Sequence, residues 1–292
     1  MADVAVVTDS TGYLPASLTD SLEITVMSHH YNLGAGWLRE SDFDGDYGRL
    51  YAELDASKSS ATTSAVAVEE YVEVFAHLLP QHSAIVSVLV SSGLSKSCSN
   101  ARQAAAQLEG RGGERVVVID TAGAGGHEGL QALAAARAAA AGQDGSGVVA
   151  ATLRARQQVK QWFVVDTLEY LRRGGRIGAA TAWLGSALDL KPILCFESEL
   201  KAVERVRTRK RAVERLVELM RQRRVVVGAD RWFVQHTAAH EDAKELSERL
   251  AGLFDSEPEF ISEMGPVCAV LLGPGVLVAG GLPGAVFGGA HG

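Results

Sequence analysis

Two short segments of this chain place hydroxyl groups where a helix is expected to begin. Thr62–Ser64 precedes a predicted helix, and Ser91–Ser95 (Ser-Ser-Gly-Leu-Ser) lies between a predicted strand and the next helix. At such positions, free backbone N–H groups and the positive end of the helix dipole attract anions. Because no base stands beside these hydroxyls in the sequence, the pattern favours holding a carboxylate over attacking a carbonyl. The alternative is an acyl hydrolase or transferase in which Ser92 is the nucleophile.

Other catalytic and metal-binding patterns are weak. The sequence contains no GxSxG elbow and no Walker A loop, and Glu128 stands where a GxGxxG sequence starting at Gly123 needs its third glycine. His236 and His240 have a spacing that binds metal on a helix, but His236 ends a predicted strand. We therefore expect structural roles for both histidines, no metal and no catalytic residues.

The charge balance argues against a nucleic-acid partner. The chain has 28 Lys and Arg residues against 35 Asp and Glu residues, which gives a net charge of −7. A chain of this sign gains no overall attraction to nucleic acid or to anionic lipid. The basic strip Arg205–Arg211 is flanked by Glu204 and Glu214, so we interpret it as a solvated junction between a strand and a helix. A regulatory module that binds protein or nucleic acid through this strip is a weaker alternative.

Composition and cysteine usage indicate a cytoplasmic globular protein. The residues are 47% hydrophobic, 22% charged and 6% aromatic, which is too apolar for disorder and too charged for a polytopic membrane protein. Cys98, Cys195 and Cys268 form no CxxC pair, and an acid stands where a signal peptide has basic residues. Residues 264–290 are uncharged but hold eight glycines and three prolines. We expect buried strands joined by glycine turns there, and no integral membrane segment.

The N-terminal half predicts a parallel sheet with helices on both faces. Apolar runs that end in hydroxyl or carboxylate residues alternate with helical stretches, as in βαβ units. The carboxyl ends of parallel strands share one edge of a sheet, where ligands bind. The predicted strands are 4–8, 85–90 and 116–119, and the predicted helices are 67–79, 99–108 and 130–141. The polar residues expected at that edge are Asp9, Ser10, Thr11, Ser91, Ser92, Asp120 and Thr121.

The C-terminal half predicts a second α/β domain with a mixed sheet. Pro192–Phe196 and Lys201–Val206 look like two strands joined by a turn, and Val225–Val227 is expected to be another strand. The length also suggests two domains. The predicted domains are residues 1–155, which contain the Thr63 and Ser92 loops, and residues 156–292.

At these residues the chain resembles the DegV family of bacterial fatty-acid-binding proteins. Matches to the motifs of the family run in order from residue 4 to about residue 282. The long matches are Ser91–Ser95, Tyr170–Ile177 (Tyr-Leu-x-x-Gly-Gly-Arg-Ile) and Leu190–Leu194 (Leu-Lys-Pro-Ile-Leu). The short matches are Thr8–Thr11, Thr63–Ala67 and the Gly-Pro-Gly sequence Gly273–Gly275.

The resemblance implies an EDD fold with a three-layer N-terminal domain, a C-terminal domain and one long-chain fatty acid in a buried tunnel between them. It implies that Thr63 and Ser92 hold the carboxylate and present it to a separate fatty-acid kinase, which makes acyl phosphate. The protein itself is then a lipid-binding protein that needs no cofactor, not an enzyme. The supporting pocket residues are expected to be Ser64, Gly93, Arg176 and Leu271.

The chain departs from the family pattern in two places, the first loop and the segment before Gly-Pro-Gly. Ala65 and Val66 replace the glutamine and proline of the first loop, which removes a polar contact and a rigid ring. Leu271 stands two places before Gly-Pro-Gly, where many relatives have a histidine. The resemblance therefore implies a head-group site that is drier and less polar than usual, with greater tolerance of bulky head regions.

Overall fold

The computed structural model describes residues 3–57, 60–183 and 190–287. These residues form two compact units, which interleave along the chain. The first unit takes its residues from Met1–Ser28, Ala65–Val159 and Gly284–Gly292, and the second unit from His29–Ser64 and Lys160–Pro283.

The elements alternate between strands and helices along most of the chain. Up to residue 159 they are β1 (Val4–Asp9), α1 (Ala16–Ser21), β2 (Ile24–Met27), β3 (His30–Asn32), β4 (Leu38–Arg39), α2 (Tyr47–Ser57), β5 (Thr62–Ser64), α3 (Val68–Leu78), β6 (Ala84–Leu89), α4 (Ser97–Gln107), β7 (Val116–Asp120), α5 (Gly126–Ala140) and α6 (Gly145–Gln158). After it they are β8 (Lys160–Val164), α7 (Glu169–Arg173), β9 (Lys191–Glu197), β10 (Glu199–Val206), α8 (Arg209–Val227), β11 (Arg231–Thr237), α9 (His240–Phe254), β12 (Phe260–Glu263), α10 (Pro266–Leu272) and β13 (Val276–Leu282).

The first unit contains the predicted parallel sheet, in the order β2-β1-β6-β7. Successive side chains on a strand point to opposite faces. On β1, Val7 packs in a core with Phe75 of α3 and Ala101 of α4, whereas the neighbouring Thr8 contacts Glu128 of α5. Helices therefore cover both faces, which confirms the three-layer arrangement predicted for this part of the chain.

The second unit contains the predicted mixed sheet. Its strand order is β10-β9-β8-β13-β11-β12, in which β11 and β12 are parallel and the other neighbours are antiparallel. The predicted strand pair at the edge is confirmed, since Phe196 pairs with Leu200 across the β9–β10 turn. Helices α8 and α9 pack on one face, where the fully buried Trp232 stacks on Phe254 with ring centroids 5.9 Å apart.

The segment 29–64 belongs to the second unit, which differs from the single domain boundary predicted after residue 155. Its strands form a small antiparallel sheet in the order β4-β3-β5. Leu50 of α2 packs in one hydrophobic cluster with Ala269 and Val270 of α10. Glu40 Oε1 accepts a hydrogen bond of 2.9 Å from the Val267 N–H in the first turn of α10. Apolar packing and this buried hydrogen bond, both made with residues far along the chain, join the segment to the second unit.

Two local predictions are wrong. Val225–Val227 is the last turn of α8, which ends at Gly228 in a left-handed conformation, and Val225 is 78% exposed. The uncharged stretch that begins at Met264 forms α10 and the central strand β13 rather than several strands, and residues 288–290 lie outside the described part. Among helices of the described ranges, none is both long and apolar enough to cross a membrane.

Candidate functional site

The Ser91–Ser95 loop forms a tight turn between β6 and α4. The Leu94 and Ser95 N–H groups donate to Ser91 O at 2.9 and 3.1 Å, and the Gly93 N–H donates to the Ser91 hydroxyl at 3.2 Å. Ser91 is buried, whereas Ser92 and Gly93 are exposed. Hydrogen bonds within the turn therefore hold Ser91 inward and leave the Ser92 side chain on the outside.

Asp120 is the partner of Ser92. The Ser92 hydroxyl donates to Asp120 Oδ2 at 2.5 Å, and the Ser92 N–H lies 3.3 Å from the same oxygen. The other carboxylate oxygen, Oδ1, accepts from the Ala122 N–H at 2.8 Å. Strands β6 and β7 are parallel neighbours with Leu89 opposite Asp120, so the residues that follow β6 meet the last residue of β7.

The expected gathering of polar residues at the carboxyl edge of the sheet is confirmed. Asp9, at the end of β1, accepts hydrogen bonds from the Thr11 N–H at 3.0 Å and from the Val90 N–H at 3.1 Å. The Thr121 N–H donates to Leu89 O at 3.0 Å. Hydrogen bonds therefore join the end of β6, just before the Ser92 loop, to the ends of both neighbouring strands.

Glu128 brings a second buried carboxyl group against Asp9. The two residues are 0% and 1% exposed, and the Thr11 hydroxyl lies 2.5 Å from Asp9 Oδ1 and 3.0 Å from Glu128 Oε2. Burial, the charge of Asp9 and a hydrogen bond between the two carboxyl groups raise the pKa of Glu128 well above its ordinary value. The raised pKa favours the protonated form of Glu128, because two buried carboxylates in contact repel each other.

Thr63 and Ser64 lie on β5 in the second unit. Thr63 pairs with Tyr31 of β3 and is half-buried, and Ser64 pairs with His30 and is exposed. Val66, one of the departures from the family pattern, is 0% exposed in the core of the first unit, and its C=O accepts from Asn100 Nδ2 at 2.7 Å. The valine is therefore explained by core packing.

Arg176 and Leu271 both contact Gly174, just after α7. The Arg176 guanidinium donates to Gly174 O at 2.6 Å, and a Cβ atom on residue 174 would lie 2.8 Å from Leu271 Cδ2. Gly273 has φ +78° and faces the Tyr170 ring so closely that a side chain there would clash. The structure thus brings together two motifs that are about a hundred positions apart, Tyr170–Ile177 and Gly273–Gly275.

A cluster of charged side chains holds the Gly-Pro-Gly turn, and the sequence analysis missed it. Arg209 donates to Gly275 O at 2.5 Å and to Asp242 at 2.7 Å. Asp166, which follows β8, accepts from Lys191 Nζ at 2.8 Å. No sequence motif indicated this cluster, because its ion pairs join residues that are distant in the chain.

The basic strip and the histidine pair have structural partners. Arg205 lies over the Trp183 ring at 5.0 Å, and Arg211 pairs with Glu214 at 3.1 Å. The His236 and His240 rings meet edge to face at 5.9 Å, and burial, with a smaller contribution from His240, lowers the pKa of His236 to about 4. Within the ranges that the structure describes, no cluster of three or more His, Cys, Asp or Glu side chains could hold a metal.

Comparisons with known proteins agree with these motifs. Residues 3–280 match the family model described as "Uncharacterised protein, DegV family". A DegV domain-containing protein of Streptomyces coelicolor is 36% identical over 279 residues, covering 94% of this chain and 96% of that relative. The structure of a fatty-acid-binding DegV-family protein from Thermus thermophilus has a TM-score of 0.86 at 30% identity and covers 96% of this chain and 99% of that one. DegV from Bacillus subtilis, described as a fatty acid binding protein, has a TM-score of 0.84 at 28% identity and covers 97% and 100%.

The substitution Glu128→Gln is expected to reduce the pH dependence of stability. Burial and the charge of Asp9 raise the pKa of Glu128 in the folded protein above the value of 4.5 expected for the unfolded chain. As the pH rises above 4.5, the folded state holds more of this proton than the unfolded state, so the free energy of unfolding falls by up to about 1.4 kcal/mol per pH unit until the folded pKa is reached. Urea unfolding between pH 5 and 8 should show this extra slope in the wild type and not in the variant.

A matched control is Glu109→Gln, which changes an exposed glutamate of the same unit. This variant should keep the slope of the wild type. Equal slopes in the wild type and in Glu128→Gln would contradict the raised pKa of Glu128.

Proposed function

Because the chain belongs to the DegV family, we propose that it binds a long-chain fatty acid. The observation that carries the proposal is similarity to a fatty-acid-binding relative over 96% of the chain, together with an exposed Ser92 after a strand of the parallel sheet. Ser92 and Thr63 are proposed to contact the carboxylate. The proposed supporting residues are Ser64, Gly93, Arg176 and Leu271.

The physical basis of affinity in this proposal is burial of the alkyl chain. Each buried methylene group contributes about 0.8 kcal/mol, so about fourteen of them contribute on the order of 11 kcal/mol before the costs of ordering are subtracted. Hydroxyl groups at the carboxylate then fix the orientation of the ligand and add little to the total. A binding protein of this kind needs no strongly basic surface, in keeping with the net charge of −7.

A catalytic role for Ser92 is not favoured. Serine nucleophiles are activated by a base, most often an imidazole in hydrogen-bond contact with the hydroxyl. The Ser92 hydroxyl donates instead to the Asp120 carboxylate. The relatives from Thermus thermophilus and Bacillus subtilis are described as binding fatty acid, which supports a lipid-binding protein over an acyl hydrolase or transferase.

We further propose that the protein acts in the cytoplasm and presents the bound carboxylate to a separate fatty-acid kinase. Its three cysteines are free thiols, which suits a reducing compartment. The kinase would transfer the γ-phosphoryl group of ATP to a carboxylate oxygen, forming acyl phosphate and ADP. With a purified bacterial fatty-acid kinase, acyl phosphate trapped as hydroxamate should form only when the acid-loaded protein is added. Free acid without the protein is the control, and no product from loaded protein would contradict presentation while leaving binding intact.

The protein as purified is expected to carry an acyl ligand. Native mass spectrometry should show a mass increase equal to that of a long-chain acid, and lipid analysis of the extract should identify its length and branching. Ala65 and Leu271 add apolar surface at positions where the family resemblance implies polar residues, so acids with bulky or weakly hydrated head regions should be accepted. An unrelated protein purified in parallel controls for adsorbed lipid, and an extract without acyl chains would contradict the proposal.

The substitution Ser92→Ala is expected to weaken fatty-acid binding about tenfold without reducing thermal stability. The loss corresponds to one hydrogen bond to a charged or strongly polar group, and an exposed side chain contributes little to folding. Displacement of a fluorescent fatty acid measures the affinity. Ser146→Ala, at an exposed serine of the same unit, is the matched control. Equal affinities in the wild type and Ser92→Ala would overturn the assignment of Ser92.

A further inference from the structure

The direction of the Ser92 hydrogen bond determines what the serine offers to a ligand. A hydroxyl has one proton, and in Ser92 that proton points to Asp120 Oδ2 at 2.5 Å. Ser92 Oγ therefore presents its lone pairs to anything that approaches from outside. These lone pairs can only accept a hydrogen bond, and an ionised carboxylate can also only accept one. In this arrangement, an ionised fatty acid and Ser92 have no proton between them.

The hydrogen bonds of Asp120 hold the Ser92 hydroxyl in this direction. Its carboxylate also accepts from the Ala122 N–H at 2.8 Å and lies 3.3 Å from the Ser92 N–H. Three donors thus converge on one carboxylate at the end of β7. Rotating the hydroxyl toward a ligand anion would break the shortest of these contacts and bring a second negative charge close to the first.

The charged groups that act on Cys98, on the helix next to Asp120, are mostly acidic. Helix α4 places Cys98 near Asp120, and burial, followed by the charge of Asp120, raises the pKa of this thiol to about 12, so the thiol is neutral. Arg102, on the same helix, lowers the pKa of that thiol. Two further acidic residues raise the pKa of the thiol, as Asp120 does. They are Asp9, at the end of β1, and Glu128, on α5. Around Cys98, acidic residues on three elements therefore outnumber the one arginine.

We propose that Asp120 is a specificity-determining residue that makes the head group bind together with one proton. The proposal rests on fatty-acid binding at Ser92. A fatty-acid anion and one proton from solvent bind together, and the proton is shared along the line from the ligand carboxyl oxygen through Ser92 Oγ to Asp120 Oδ2. No bond between heavy atoms forms or breaks. The preferred ligands are apolar chains whose head group donates a hydrogen bond, namely protonated acids and primary alcohols.

Isothermal titration calorimetry with dodecanoic acid below its micellar concentration tests this proposal. Titrations at pH 7.5 in two buffers with different ionisation enthalpies should show about one proton taken up per acid bound to the wild type. The affinity should fall about tenfold for each pH unit between 7 and 8.5, because one proton enters with the ligand. The count of protons on the wild type tests the proposal even if a variant fails to fold.

The Asp120→Asn variant should take up no proton and bind the acid with an affinity independent of pH. Its amide N–H can donate to Ser92 Oγ, which frees the hydroxyl to donate to the carboxylate. The matched control is Asp144→Asn, since Asp144 accepts from the Ser146 hydroxyl at 2.7 Å in the same unit. This control should retain the uptake of one proton. With 1-dodecanol, wild type and Asp120→Asn should both take up none.

The outcomes separate this inference from the function on which it rests. Dodecanoic acid bound by the wild type without proton uptake, or an unchanged proton count in a folded Asp120→Asn variant, would overturn the role of Asp120 and leave fatty-acid binding intact. If the wild type binds neither dodecanoic acid nor 1-dodecanol, fatty-acid binding itself is overturned, and the inference with it.

Discussion

The parallel pairing of β1, β6 and β7 is the constraint on which the candidate site depends. Because neighbouring strands run in the same direction, their last residues lie side by side at one edge of the sheet. Asp9 then reaches the Val90 N–H, and Ser92 reaches Asp120. A slip of β6 by one residue would reverse the facing of its side chains and separate these groups.

The same edge also contains an arrangement that is costly to bury. Two carboxyl groups in contact and out of water are tolerated only if they do not both carry charge. The hydroxyl of Thr11 and the backbone N–H groups around Asp9 supply donors, and the raised pKa of Glu128 favours its uncharged form. The turn after β1 and the start of α5 are thereby joined inside the first unit. In both places a hydroxyl group donates to an aspartate carboxylate. Thr11 donates to Asp9 in the buried pair, and Ser92 donates to Asp120 at the exposed loop.

Apolar surface, more than charge, decides which parts of the chain belong together. Leu50 and Val270 pack in one cluster although more than two hundred residues separate them, and this places the strand with Thr63 in the second unit. Val66, only three residues after Thr63, is buried in the core of the first unit. The Thr63–Ala67 motif therefore joins two cores, which explains why an apolar residue at position 66 is compatible with the fold.

The sequence by itself determined the local features of this protein. Apolar runs, the hydroxyl and carboxylate residues that follow them, and the motifs sufficed for the fold class, the family and the gathering of polar residues at the sheet edge. The run Val225–Val227 misled, because β-branched residues can also end a helix when a glycine follows. Only the tertiary structure decided the partner of Ser92, the raised pKa of Glu128 and the division into interleaved units. These depend on burial and on contacts between distant residues, such as Ser92 and Asp120, which no local pattern encodes.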